Sequence, residues 1–192
     1  MEQITTNASP SNEDEDLDFL NLRKAVPTDF PQIREVATVS RQASFGHFMT
    51  QEEIEDEVAA YYSNEVLNGI FNNPANGIYV ATRGGKILGY CSVLPKDRRG
   101  RPRILQFYVR PDAQRQGVGE LLFERARNHL REAGVTEMYV STIAENTIGR
   151  SFYDKKGLDP VQTYDSIWDG KTHTIVVYHM YLRSGLREKT NS

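Results

Sequence analysis

The chain has 192 residues, enough for one domain with a sizeable core. Its 39% hydrophobic and 26% charged content is ordinary for a soluble globular protein, and its apolar runs are too short for a transmembrane helix. The net charge of −3 hides an asymmetry: Met1–Asp18 holds six acids and no Lys or Arg, which leaves +3 for residues 19–192. That balance suits an anionic small ligand and is too weak to argue for nucleic acid.

Residues 1–18 are polar and acidic, with neither a basic nor an apolar stretch of the kind a secretory leader needs, so they are expected to form a disordered tail. Leu20–Ala25 is a short strand candidate. Thr28-Asp29-Phe30-Pro31 opens a first helix, with Ile33, Val36 and Ala37 at helical spacing. Thr50-Gln51-Glu52-Glu53 is a capping box, because the Thr oxygen and the Glu carboxylate each satisfy a backbone donor of the other. Ile54, Val58, Tyr61 and Tyr62 mark one face of the helix it starts. The acids on that helix, Glu52, Glu53, Glu55, Asp56 and Glu57, read first as a solvated face and second as an attractor for a cationic ligand.

Ile78–Thr82 and Ile87–Val93 flank Gly84-Gly85 and form a hairpin. Cys91 lies in it as a core residue, and as the lone cysteine it excludes an internal disulfide and fits a reducing cytoplasm. Lys96–Arg103 is a basic loop without an aromatic platform, best read as solvated. Then come strand Ile104–Val109, a helix from about Val118 to Ala133 closed by Gly134, strand Glu137–Thr142, and helix Thr147–Lys156 closed by Gly157. Two strands near Ser166–Trp168 and Thr172–Leu182 finish the domain, and residues 183–192 read as a second flexible tail.

The chemistry sits at the junction Gln114-Arg115-Gln116-Gly117-Val118-Gly119, between strand 104–109 and the long helix. A helix N-terminus has unpaired amides and about half a positive charge, and glycine there lets a phosphate approach the backbone. A P-loop is excluded because Gly119 is followed by Glu120-Leu121, and a dinucleotide fingerprint because position 122 is Leu122. The two glycines alone fit a ligand-free helix entry equally well.

The full order is more specific. Strand 104–109, the Gln114-x-x-Gly117-x-Gly119 turn, the helix, the strand ending Ser141-Thr142-Ile143, Glu145-Asn146 and Phe152-Tyr153-Asp-Lys-Lys-Gly157 together resemble the GNAT superfamily of acyl-CoA-dependent N-acetyltransferases. The resemblance covers about residues 20–182 and is strongest over 104–158. It implies one N-acetyltransferase domain over 19–182, of α/β (α+β) class: a mixed, twisted, mostly antiparallel sheet of about six to seven strands flanked by about four helices. The sheet would split between strands 104–109 and 137–142, with acetyl-CoA as cosubstrate in the split and no metal. Backbone groups of Phe107, Tyr108 and Val109 would pair with the pantetheine arm. Amides of Gln114, Arg115, Gln116, Gly117, Val118 and Gly119 would hold the pyrophosphate. Asn146 would touch the pantetheine, and Tyr153 would act as general acid at the sulfur.

This sequence departs from the pattern in three ways. Leu158 stands where a Phe commonly follows the glycine, Gly149 interrupts the last helix, and the strand 104–109 carries Gln106 but no carboxylate. The general base is therefore open, with Glu145 and His47 as candidates beside packing or solvated roles for each. Residues 61–94 and 145–182 resemble bacterial polyamine acetyltransferases, which implies a small cationic amine as acceptor. A non-catalytic acyl-CoA sensor and a protein or peptide acceptor are the alternatives. No nucleic-acid or membrane partner is expected, and the Tyr-rich last strands suit a homodimer contact or the core equally.

Overall fold

The computed structural model describes residues 19–168 and 170–182, so the expectations for both tails fall outside the described residues. The strands are β1 (Asn21–Lys24), β2 (Gly77–Arg83), β3 (Lys86–Leu94), β4 (Arg103–Val109), β5 (Glu137–Ile143), β6 (Asp159–Trp168) and β7 (Lys171–Tyr181). The helices are α1 (Phe30–Phe45), α2 (Gln51–Tyr61), α3 (Asn64–Phe71), α4 (Val118–Glu132) and α5 (Thr147–Lys155). One seven-stranded sheet runs in the order β1-β2-β3-β4-β5-β7-β6, antiparallel throughout except for the parallel β4–β5 pair.

Local chemistry explains most boundaries. Thr50 Oγ1 accepts from the Glu53 N–H at 3.2 Å while Glu53 accepts from the Thr50 N–H at 2.7 Å, so the capping box starts α2. Gly84 and Gly85, at φ 54° and 74°, form the two-residue turn that joins β2 to β3. The expectation of about six to seven strands and about four helices holds, with seven strands and five α-helices among the described residues. The helix not read from the sequence is α3, started by Ser63, whose hydroxyl accepts from the Val66 N–H at 3.2 Å, and seated by buried Leu67 and Ile70. Strand β6 is also much longer than the Ser166–Trp168 expected. Its start escapes a sequence reading because Pro160 argues against a strand, and the register there shifts between Pro160 and Gln162.

Two cores sandwich the sheet. Leu122, Phe123, Ala126 and Leu130 of α4 pack with Met138, Val140 and Tyr178 on one face. Ile33, Val36 and Ala37 of α1 and Leu67 of α3 pack with Ile78, Val80, Ile87 and Tyr90 on the other. Cys91 is wholly buried between strands, its thiol donating to the Leu122 carbonyl at 3.7 Å, and burial pushes it up to about 12. Leu158, where the family pattern has Phe, is a core residue.

Candidate active site

The parallel pair β4–β5 is joined at only two register positions, Arg103↔Tyr139 and Ile104↔Val140, after which the strands separate. The cause lies in β4. Ile104 pairs with Val93 and Gln106 with Ser92, so Leu105 is an extra residue, a β-bulge. A bulge inverts the alternation of backbone groups. Before it, the Pro102 carbonyl points at β5 and accepts from the Tyr139 N–H at 2.9 Å. After it, the Arg110 N–H points at β3 and donates to Leu88 at 2.8 Å. By alternation Phe107 and Val109 turn their backbone groups toward the split, and Tyr108 turns its own toward β3. The Val109 carbonyl accepts from the Ser40 hydroxyl at 3.1 Å, leaving its N–H directed at the gap.

At the far end of β4 a 3-10 turn (Pro111–Ala113) leads into the segment 114–119. Arg115 and Gly117 have φ of 61° and 84°, the left-handed region, which is a strained position for the arginine and an easy one for the glycine. Helices α2, α3 and α5 are each capped by a side chain, whereas α1 and α4 are not, and α4 starts at a glycine that has no side chain to offer. Its first amides are therefore left to an external acceptor. Gln116 is tied back, donating to the Asp112 carbonyl at 2.8 Å and accepting from Arg83 at 2.9 Å. The glycines differ in purpose. Gly117 supplies the backbone angle, while packing does not hold position 119 to glycine, since a Cβ there would meet the Phe152 ring at 3.4 Å, an ordinary contact.

The split opens into a cleft of about 460 Å³ between α2, β4, β5, α5 and the β6–β7 hairpin. Phe107, Tyr108, Asn146 and Tyr153 all line it, so four of the expected residues come together. Tyr153 is 5% exposed, its ring centroid 6.5 Å from Phe107 and 5.4 Å from Tyr178. Burial, reinforced by Tyr108 and Tyr178, holds its phenol above the ordinary tyrosine value. Its hydroxyl has no hydrogen-bond partner among the described residues.

Asn146 has a second occupation. Its Oδ1 accepts from the Gly149 N–H and its Nδ2 donates to Thr142 Oγ1, both at 2.9 Å, so it caps α5. A Cβ on residue 149 would stand 2.6 Å from that Nδ2. Gly149 thus protects the cap, which accounts for a glycine inside this helix.

Glu145 is exposed and lies outside the cleft lining, because the turn that brings Asn146 inward onto α5 leaves its predecessor facing solvent. His47 is exposed as well and packs edge-on against Phe48 at 4.7 Å. The one carboxylate lining the cleft is Glu57, ion-paired with Arg41. Arg41 also donates to the Tyr108 hydroxyl at 3.0 Å and lies 5.4 Å over the Phe45 ring. Arg41 was not read from the sequence as a site residue, and Glu57 was read only as one of five acids on its helix, first as a solvated face. The available signal was an acid at a core-facing position, three residues after Ile54 and four before Tyr61.

Among the described residues no cluster of three or more His, Cys, Asp and Glu is arranged to hold a metal, and no helix is long and apolar enough to cross a membrane. The basic loop is organised by Asp97, which accepts from the N–H groups of Arg99 and Arg101 and pairs with Arg103.

The chain is similar to a spermidine N(1)-acetyltransferase of Thermoplasma acidophilum, 25% identical over 142 residues, 72% of this chain and 87% of that protein. In fold it resembles the PaiA N-acetyltransferase of Thermoplasma acidophilum in complex with coenzyme A, with TM-score 0.68, 21% identity, and 82% and 98% of the two chains covered. It also resembles the ribosomal-protein-S18-alanine N-acetyltransferase of Escherichia coli, with TM-score 0.63, 16% identity, and coverage of 88% and 98%. The model of the Acetyltransferase (GNAT) family matches residues 32–158, well over half of the chain. The split sheet with its uncapped helix therefore belongs to a member of the Acetyltransferase (GNAT) family, an acetyl-CoA-dependent N-acetyltransferase.

Proposed function

We propose that the protein moves an acetyl group from acetyl-CoA to the primary amine of a small cationic acceptor such as a polyamine, by direct attack on the thioester. The observation that carries this reading is the β4–β5 split, which runs from the uncapped start of α4 to a cleft holding the Tyr153 hydroxyl. In this reading the backbone of Phe107 and Val109 receives the pantetheine as an added strand would be received, and the Val109 N–H polarises the thioester carbonyl; Tyr108, expected to pair there too, turns its backbone toward β3 and meets the cleft through its side chain. The amides of residues 114–119 hold the pyrophosphate. Asn146 borders the pantetheine with the edge of its amide while it caps α5.

The neutral amine nitrogen forms a bond to the carbonyl carbon and gives up one proton to solvent, the carbon–sulfur bond breaks, and the departing sulfur takes a proton from Tyr153. A phenol near 10 and a thiol near 8.5 make full transfer uphill by about 2 kcal/mol, and burial of Tyr153 raises that cost. Tyr153 therefore shares its proton as the sulfur leaves and recovers one from solvent. The acceptor must first lose a proton, at a cost of about 4.6 kcal/mol for an alkylamine at pH 7. Glu145, the carboxylate expected as base, faces solvent outside the cleft lining, so its part in that step would run through water. The polyamine choice is supported by the spermidine N(1)-acetyltransferase relative and by the carboxylate and aromatic rings of the cleft.

The test is release of free thiol from acetyl-CoA across a library of amines, peptides and arylamines. Spermidine-like amines are expected to turn over well above the hydrolysis background. Tyr153→Phe is expected to lower kcat by about 100-fold, the lower end of general-acid contributions, with KM for acetyl-CoA unchanged. Coenzyme A binding without transfer to any amine points instead to a sensor.

A further inference from the structure

We infer that Glu57, braced by Arg41, is the subsite that takes the acceptor's ammonium group, and that the acceptor is a slender aliphatic primary amine. The inference rests on the acetyl-transfer reading for its chemistry and on the cleft itself for its geometry.

Glu57 and Arg41 are the only charged side chains lining the cleft among the described residues, with side-chain exposures of 7% and 13%. A buried ion pair is a weak device for stability, because apolar residues of similar size do as well or better in its place. Its position in the wall of a cleft calls for another account. Arg41 is held from three sides: by Glu57, by the Tyr108 hydroxyl and by the Phe45 ring. Glu57 is held from one. A carboxylate accepts at two oxygens and about four lone-pair sites, yet among the described residues only Arg41 reaches it. Glu57 lines the cleft, and a charge-assisted hydrogen bond from a cation there is stronger than a neutral one.

The surroundings define the ligand. Phe107, Tyr61, Tyr108 and Tyr164 present rings to the same cleft, and ring faces attract an ammonium group. Gln106, the neutral residue on β4, is committed elsewhere: it accepts from the Ser92 hydroxyl at 3.0 Å and donates to the Tyr61 carbonyl at 3.5 Å. It leaves Glu57 as the anionic contact for the incoming nitrogen among the described residues. One N–H of the amine donates to Glu57, which fixes the nitrogen at the acceptor end of the split. Arg41 keeps the carboxylate in place and keeps its own contacts with Tyr108 and Phe45 when the second cation arrives.

The experiment uses the full chain saturated with coenzyme A, with spermidine as probe. Its binding is followed by calorimetry, and its acetylation by thiol release in a parallel set with acetyl-CoA. Glu57→Gln is expected to weaken spermidine binding about 10- to 100-fold and to raise KM for spermidine similarly, with KM for acetyl-CoA unchanged. That variant also strands the Arg41 charge, so the double variant Arg41→Met with Glu57→Gln is measured beside it. It restores the thermal midpoint and leaves spermidine binding weak. Recovery of both stability and binding in the double variant overturns the inference, since the pair would then be structural. Absence of spermidine binding by the wild type overturns it too. Glu57-dependent binding without turnover refutes the transfer reading and leaves the subsite standing.

Discussion

Gly149→Ala separates two accounts of the helix that carries Tyr153. Helix propensity alone predicts a gain, because alanine is favoured over glycine by about 1 kcal/mol inside a helix. The structure predicts that the gain is cancelled. The new Cβ would stand 2.6 Å from Asn146 Nδ2, an atom held by Thr142, so the amide must leave the position in which it caps α5. Loss of an Asn cap costs about 1 kcal/mol, within a range of roughly 0.5–2. The two effects leave Gly149→Ala near neutral in the wild type. In an Asn146→Ala background there is no cap to displace, and the same change should stabilise by about 1 kcal/mol. The coupling between the two positions is therefore about 1 kcal/mol, measurable from urea unfolding of the four proteins at constant m-value. Equal stabilisation by Gly149→Ala in both backgrounds refutes the reasoning.

Two further outcomes follow from positions elsewhere in the fold. Gly117→Ala forces a side chain to φ 84° at the start of α4, where no neighbouring atom obstructs it. The expected cost is about 1 kcal/mol of backbone strain with weaker coenzyme A binding, read by thermal unfolding with and without coenzyme A; an unchanged midpoint in both removes the conformational argument. Alkaline stability reports burial: Tyr62, Tyr90 and Tyr153 are held above the ordinary phenol value chiefly by desolvation, and Cys91 is pushed up to about 12. The folded state keeps these protons after the unfolded chain has lost them. The contribution is complete below about pH 8.5 for the thiol and about 10 for the phenols, and it is lost as pH rises through the folded values. Urea midpoints should fall from about pH 9 upward; a flat profile to pH 11 contradicts the burial of these groups.

How much of this was legible depends on the range of the interactions. Signals confined to a few residues were readable. The Thr50–Glu53 box starts α2, Gly84-Gly85 turns the hairpin, and Gly134 and Gly157 adopt the left-handed angle where helices α4 and α5 end. Signals that depend on a partner far along the chain were not. Nothing in Ile104-Leu-Gln-Phe-Tyr-Val109 announces a bulge at Leu105, because a bulge exists only relative to β3. Glu145 and Asn146 differ instead through short-range bonds that residue type alone does not announce: Asn146 bonds Thr142 and Gly149, four and three residues away, while Glu145 faces solvent.

The same distinction explains why the cofactor was readable and the acceptor was not. On the cofactor side the proposed contacts are main-chain groups of β4 and of the segment 114–119, presented by one strand, one turn and one helix start contiguous in sequence. Such a site constrains spacing and backbone angle more than side-chain identity, so it leaves a local pattern. The acceptor side is built from side chains: Arg41 on α1, Glu57 and Tyr61 on α2, Gln106 on β4 and Tyr164 on β6. These residues span more than 120 positions and share no spacing, since each is placed by its own element packing onto the sheet. Changing Glu57 or Tyr164 alters what the cleft admits without disturbing the β4 backbone. The family can therefore keep one donor and change acceptors, and acceptor identity in this chain has to be sought in the wall facing β4.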